Sequence, residues 1–156
     1  MQKIPSYVQS LNNLANAELG GQQLFEKWAE KTSNIKLRDV LRFVAVREAE
    51  HSWAFRKRLE ELGFCMETRT NPAVKKLKRL MASRATDEEK FQAFGIGVKS
   101  ESPDGPDGLL RLLADTSIDP QTGSLLGRFI CEERDSGRRL VKAYRALKRE
   151  QNRKKK

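Results

Sequence analysis

The chain predicts an all-α protein: a four-helix bundle with a long crossover and an interrupted third helix. Three observations carry that expectation. Long stretches repeat apolar residues at alternating three- and four-residue spacing, the period of one helix face. Val, Ile and Thr are sparse and no run sustains two-residue alternation, so strands lack their signature. The prolines, Pro5, Pro72, Pro103, Pro106 and Pro120, fall at element boundaries rather than inside a stripe.

The first helix is expected over residues 6–31, with Tyr7, Leu11, Leu14, Glu18, Gly21, Phe25 and Trp28 on one stripe. Gly20 and Gly21 lie in its middle, where each costs up to about 1 kcal/mol relative to Ala. That cost implies close approach of a neighbouring helix, or room for a ligand beside Glu18. A turn at residues 32–34 leads into a second helix that runs to residue 62. Its stripe is Leu37, Leu41, Val44, Glu48, His51, Phe55, Leu59 and Leu62. Gly63 ends it, with Arg56, Lys57 and Arg58 placed to meet the C-terminal partial charge. The short turn makes these two helices antiparallel neighbours.

Signals weaken over residues 64–86. Pro72 opens a short basic helix over 73–83, and Thr86 caps a helix whose first turn is Asp87, Glu88 and Glu89. That helix, carrying Lys90, Phe91 and Phe94, breaks at Gly95 and Gly97. Residues 102–108, Ser-Pro-Asp-Gly-Pro-Asp-Gly, are a loop. A short helical piece covers 109–114. Asp119-Pro120 starts the last helix, with Pro at its favoured first position. Its stripe is Leu126, Phe129, Glu133, Ser136, Leu140, Tyr144 and Leu147. Trp28, Trp53 and Tyr144 are expected in the core or between helices, Tyr144 also being suited to redox chemistry if a metal lies near. No repeat of solenoid length is evident.

At 156 residues the chain is sized for one domain, residues 1–150, followed by a basic tail over 151–156. The first residues lack a signal-peptide apolar core, and no apolar run approaches membrane-spanning length. Cys65 and Cys131 are too few for a disulfide framework and form no CxxC motif. A reduced, cytoplasmic protein without a membrane anchor is the simplest expectation. The net charge is +10, from 31 Lys and Arg against 21 Asp and Glu. The excess gathers in Arg153, Lys154, Lys155 and Lys156 and in Lys75, Lys76, Lys78 and Arg79. Two readings follow: contact with RNA or an acidic partner, or a solvated helix face with a solubilising terminus. No RNA-binding motif, Gly-rich phosphate loop or aromatic stacking cluster is visible.

The chemistry-bearing residues are Glu18, Glu48, His51 and Glu133, set into apolar stripes of three different helices. Charged groups on such faces cost several kcal/mol unless paired or bound. If the stripes converge, carboxylates and imidazole meet inside the bundle, a donor set suited to iron or manganese. The metal-free reading of each residue also stands. Glu18 could face solvent, His51 could be a neutral core histidine bonded to Glu48 or Glu18, and Glu133 could pair with Arg47 or Arg138. Glu132 and Asp135, with Arg134 and Arg138, fit an ion-paired surface better than a site.

The sequence resembles the ferritin-like superfamily, particularly its rubrerythrin-like branch. The resemblance rests on Glu18, on Arg47-Glu-Ala-Glu-His51 followed by Arg58-Leu59, and on Glu132-Glu133 with Arg138-Arg139-Leu140. It covers most of the chain but matches poorly over residues 64–118. It implies a bundle of paired carboxylates and Glu-x-x-His motifs holding one or two iron or manganese ions. Ser136 stands where the second histidine belongs, although Glu132 with Asp135 would retain a carboxylate there. Glu88, Glu89 and Glu101 are the candidates for the third-helix ligand. The resemblance implies an oxidoreductase acting on oxygen or peroxide, with Glu48 a candidate bridge between two ions. Without a CxxC pair its electrons would come from a separate donor protein. The competing expectation is a metal-free bundle that binds RNA or an acidic partner. Superfamily members that hydroxylate modified tRNA combine the two. A homodimer is also compatible with such a bundle.

Overall fold

A computed structural model describes residues 4–97 and 108–154. The described residues are all helical apart from turns and connections. In chain order the helices are α1 (Val8–Lys31), α2 (Ile35–Glu61), α3 (Pro72–Ala82), α4 (Asp87–Ala93), α5 (Gly108–Leu113) and α6 (Pro120–Lys154). Three are long. The crossover and interrupted third helix become the short helices α3, α4 and α5.

The stripes expected on the long helices are the faces that pack. Leu11, Glu18, Phe25 and Trp28 of α1 are buried, as are Leu37, Leu41, Val44, Glu48, His51, Phe55 and Leu59 of α2. On α6, Leu126, Phe129, Ser136 and Leu140 are buried in the same way. Asn34 caps α2, its side chain accepting from Leu37 N at 3.1 Å. Gly63 ends α2 at φ +84°, a conformation that costs glycine little. Thr86 and Glu89 close a capping box on α4. Asp119 caps α6, accepting from Thr122 N at 3.0 Å.

Polar side chains fasten the less regular parts. Asn12 and Asn16, one turn apart on α1, bond the backbone of Glu67 and Arg69, which lays residues 64–71 along that helix. Asp87 accepts from Trp28 Nε1 and Thr32 Oγ1, both at 2.7 Å, and so pins the start of α4 to the end of α1. Arg58 donates to Thr122 Oγ1 at 2.8 Å and lies 3.0 Å from Asp119, tying the end of α2 to the start of α6.

Two apolar clusters form the core. One gathers Phe25, Trp28, Leu41, Val44, Met81, Phe91 and Leu140. The other, toward the opposite ends of α1 and α2, gathers Tyr7, Leu11, Phe55, Leu59, Leu126 and Phe129. Between them lies a polar layer containing Glu18, Glu48, His51 and Ser136, all buried. Trp28 and Tyr144 join the first cluster as expected. Trp53 does not: it is 69% exposed on the outer face of α2. An aromatic residue off the buried stripe has no neighbouring helix to cover it. Among the described residues, no helix is long and apolar enough to cross a membrane.

Candidate functional site

The polar layer is built where three stripes meet. Glu18 comes from α1, Glu48 and His51 from adjacent turns of α2, and Glu132 and Glu133 from α6. His51 is its hub. Nδ1 lies 3.1 Å from Glu18 Oε2 and 3.7 Å from Glu133 Oε1, while Nε2 lies 2.7 Å from Glu132 Oε2. In the imidazolium form both N–H groups donate, to Glu18 and to Glu132. Phe129 meets the ring edge-on at 4.9 Å between centroids.

Glu48 owes its place to Gly21. A Cβ at position 21 would overlap the Glu48 carboxylate, so the glycine's missing side chain is the space the carboxylate fills. Gly20 serves the other purpose open to a mid-helix glycine: its Cβ would meet Val74 Cγ1 at 3.3 Å, which reflects the close approach of α3.

Burial dominates the electrostatics. It raises the Glu18 carboxyl above its usual range against the pull of His51. It pushes Glu48 up to about 9, with repulsion from Glu18 and Glu133 adding to it. Burial and Glu18 lift Glu133 to about 7, although His51 and Arg47 oppose the rise. Burial works against a charged His51, but its hydrogen bonds to Glu18 and Glu132 outweigh that and raise the imidazole. Glu132 is less enclosed. Hydrogen bonds from Arg128 and His51 overcome its burial and lower it.

One atom in this layer lacks what burial demands. Glu133 Oε1 is buried and accepts no hydrogen bond from any described residue. A buried acceptor left in that condition costs about 1–3 kcal/mol, more when charged. It also belongs to a group with metal-ligand spacing: one donor atom each from Glu18, His51 and Glu133 all lie within 4.8 Å of one another. Two carboxylates and one imidazole fit iron, manganese or zinc, and three protein ligands leave coordination positions open.

The other expected residues are placed differently. Glu48 is not in the group sharing that distance, since its carboxylate lies over Gly21. Glu132 faces the opposite nitrogen of His51 and is held there by Arg128 Nε at 2.9 Å. Asp135 lies 2.6 Å from Arg47 and 2.7 Å from Arg139, which keep its carboxyl down at about 2. Ser136 Oγ accepts from Arg47 at 3.3 Å. Arg47 thus reaches Asp135 and Ser136 rather than Glu133, one of the two partners open to Glu133 in the metal-free reading. Glu88 pairs with Lys148 at 2.7 Å and Glu89 closes the cap with Thr86, so neither joins the cluster. Glu101 lies outside the described residues.

Sequence reasoning missed Arg128 as the residue that aims Glu132. Its signal was the four-residue spacing that brings Arg and Glu together on a helix. It also missed a surface cleft of about 710 Å³ that reaches His51, with Phe55, Leu125 and Phe129 among its walls. Comparison with protein-family models, with curated proteins and with solved structures finds no match to this chain.

Proposed function

We propose that the chain is a ferritin-like metal-binding protein holding one iron or manganese ion between Glu18, His51 and Glu133, and acting as an oxidoreductase on oxygen or peroxide. The supporting observation is Glu133 Oε1, buried without a hydrogen-bond donor inside a carboxylate–imidazole group of metal-ligand spacing. A cation there would answer the missing partner and the repulsion between Glu18 and Glu133. When bound, the ion would supply redox chemistry and open coordination positions for a small oxidant.

The chain's own residues have distinct roles in this reading. Glu132 accepts a hydrogen bond from His51 Nε2–H, fixes the ring, and leaves Nδ1 as the ligand nitrogen. Glu48, which burial and the neighbouring Glu18 and Glu133 push up to about 9 in the metal-free layer, lies beside the ligand group as a potential proton donor. Arg47 puts a guanidinium against Ser136, where the resemblance would place a second histidine, and this favours one ion over two. The cleft gives small molecules a route to the His51 ring. Electrons would come from a separate donor protein, since Cys65 and Cys131 form no CxxC pair.

Elemental analysis of protein purified without chelators tests the reading. Roughly one equivalent of iron or manganese is expected. Less than about a tenth of an equivalent of any transition metal, with no gain on reconstitution, would contradict it.

A second reading has its own observation. His51, when protonated, already bridges Glu18 and Glu132, so a proton could serve where an ion is proposed. The chain would then be a metal-free bundle that binds RNA or an acidic partner. Lys75, Lys76 and Arg79 on α3, and Arg149 and Arg153 on α6, are exposed and suit that role. Its mark would be absent metal together with steeply salt-dependent RNA binding that is lost on deleting residues from Arg149 onward.

A further inference from the structure

The outer face of α2 carries a second pattern. Lys36, Asp39, Phe43, Val46, Glu50, Trp53, Lys57 and Glu60 repeat at strict three–four spacing, and every one is exposed. This is the spacing that a helix–helix seam uses, on the side of α2 turned away from the core. Of the six large hydrophobic residues exposed among those described, Ile4, Ile35, Phe43, Val46, Trp53 and Leu110, four lie on α2. Val46 is 62% exposed and Trp53 69%.

The seam is symmetric in position, and three of its four pairs are complementary in chemistry. Counting outward from Glu48, Val46 stands opposite Glu50, Phe43 opposite Trp53, Asp39 opposite Lys57 and Lys36 opposite Glu60. We infer that α2 pairs antiparallel with α2 of a second copy of this chain about a two-fold axis beside Glu48. Asp39 of one copy then faces Lys57 of the other, Lys36 faces Glu60, and Phe43 packs on Trp53. An isologous contact makes each of these twice. Parallel pairing would set each charge against its own kind, so the pattern selects the antiparallel arrangement.

The alternatives fit less well. The chain as a whole carries +10, yet this seam holds Lys36 and Lys57 against Asp39, Glu50 and Glu60. It is not part of the positive excess that would attract nucleic acid or an acidic partner. Lys36 and Asp39 make no ion pair among the described residues. Among the described residues, Lys57 and Glu60 are engaged only in exposed pairs within the helix, with Glu61 and Arg56. Such pairs are weak and exchange readily. The seam runs about 36 Å along the helix at 1.5 Å per residue. A crossing angle near 20° would keep its three–four spacing in register. Val46, Glu50 and Trp53 also line the cleft that reaches His51, so the second copy would form one of its walls.

Sedimentation equilibrium of the full chain across the micromolar range tests this. The wild type should approach twice the chain mass of 17.9 kDa. Trp53→Glu, at an exposed position, should give a monomer with an unchanged far-ultraviolet circular dichroism spectrum. Asp39→Lys should weaken dimerisation about tenfold, because the lost pair occurs twice. Adding Lys57→Asp should restore it. A monomeric wild type would leave the seam to some other occupant and overturn the inference. A dimer indifferent to Trp53→Glu, or a charge swap that fails to rescue, would do the same.

Discussion

At the scale of the residue, the polar layer is organised by competition for protons. Glu48 and Glu133 are pushed by burial to about 9 and about 7, while His51 is raised by the carboxylates at its two nitrogens. All three bind protons more tightly folded than unfolded, so the folded state holds the excess protons as pH rises from the unfolded values. Stability of the metal-free protein should therefore fall as pH rises from about 5 to about 9, with Glu48 titrating after Glu133. Thermal melts at stepped pH check this. Glu48→Gln, which keeps the neutral shape, should flatten the upper part of that decline. An unchanged slope would show that Glu48 ionises without cost. Glu18, Glu48, His51 and Glu133 were legible because each is a charged or titratable group on an apolar stripe. Glu132 was a candidate only through the resemblance and otherwise fitted an ion-paired surface: it lies one position off the stripe of α6, and its side chain's reach toward His51 brings it in.

At the scale of the element, the two mid-helix glycines of α1 were a readable anomaly whose meaning needed coordinates. Gly20 admits α3, the close approach that was one of the two readings, whereas the space at Gly21 is filled by the Glu48 carboxylate rather than left for a ligand beside Glu18. Gly21→Ala should therefore lower stability by about 1–3 kcal/mol, because overpacking outweighs alanine's better helix propensity. Gly127→Ala in α6, where an added Cβ would meet nothing within 4 Å, should raise stability by about 0.5–1 kcal/mol. Denaturant midpoints of the two variants compare them directly, and equal effects would contradict the account of Gly21. The long helices were legible because their stripes repeat over many turns. The path of residues 64–71 was not. It is set by Asn12 and Asn16 bonding distant backbone, and on a sequence these look like ordinary helix-surface amides. Trp53 was misplaced because aromatic content suggests burial. The exposed seam it belongs to shows only when the three–four pattern is counted from Lys36.

At the scale of the molecule, two apolar clusters enclose a polar layer between them. The packing of Leu11, Phe55 and Leu126 on one side and Phe25, Leu41 and Leu140 on the other stabilises the bundle. The layer itself costs stability unless its charges are matched. That imbalance was visible in the sequence as an unexplained expense, but the convergence of Glu18, His51 and Glu133 needed the packing of α1, α2 and α6. The decisive measurement is an anomalous difference map from crystals of this chain grown with manganese. A single peak is expected within bonding distance of Glu18, His51 Nδ1 and Glu133 Oε1. A map without that peak, in which His51 still bridges Glu18 and Glu132, would contradict it.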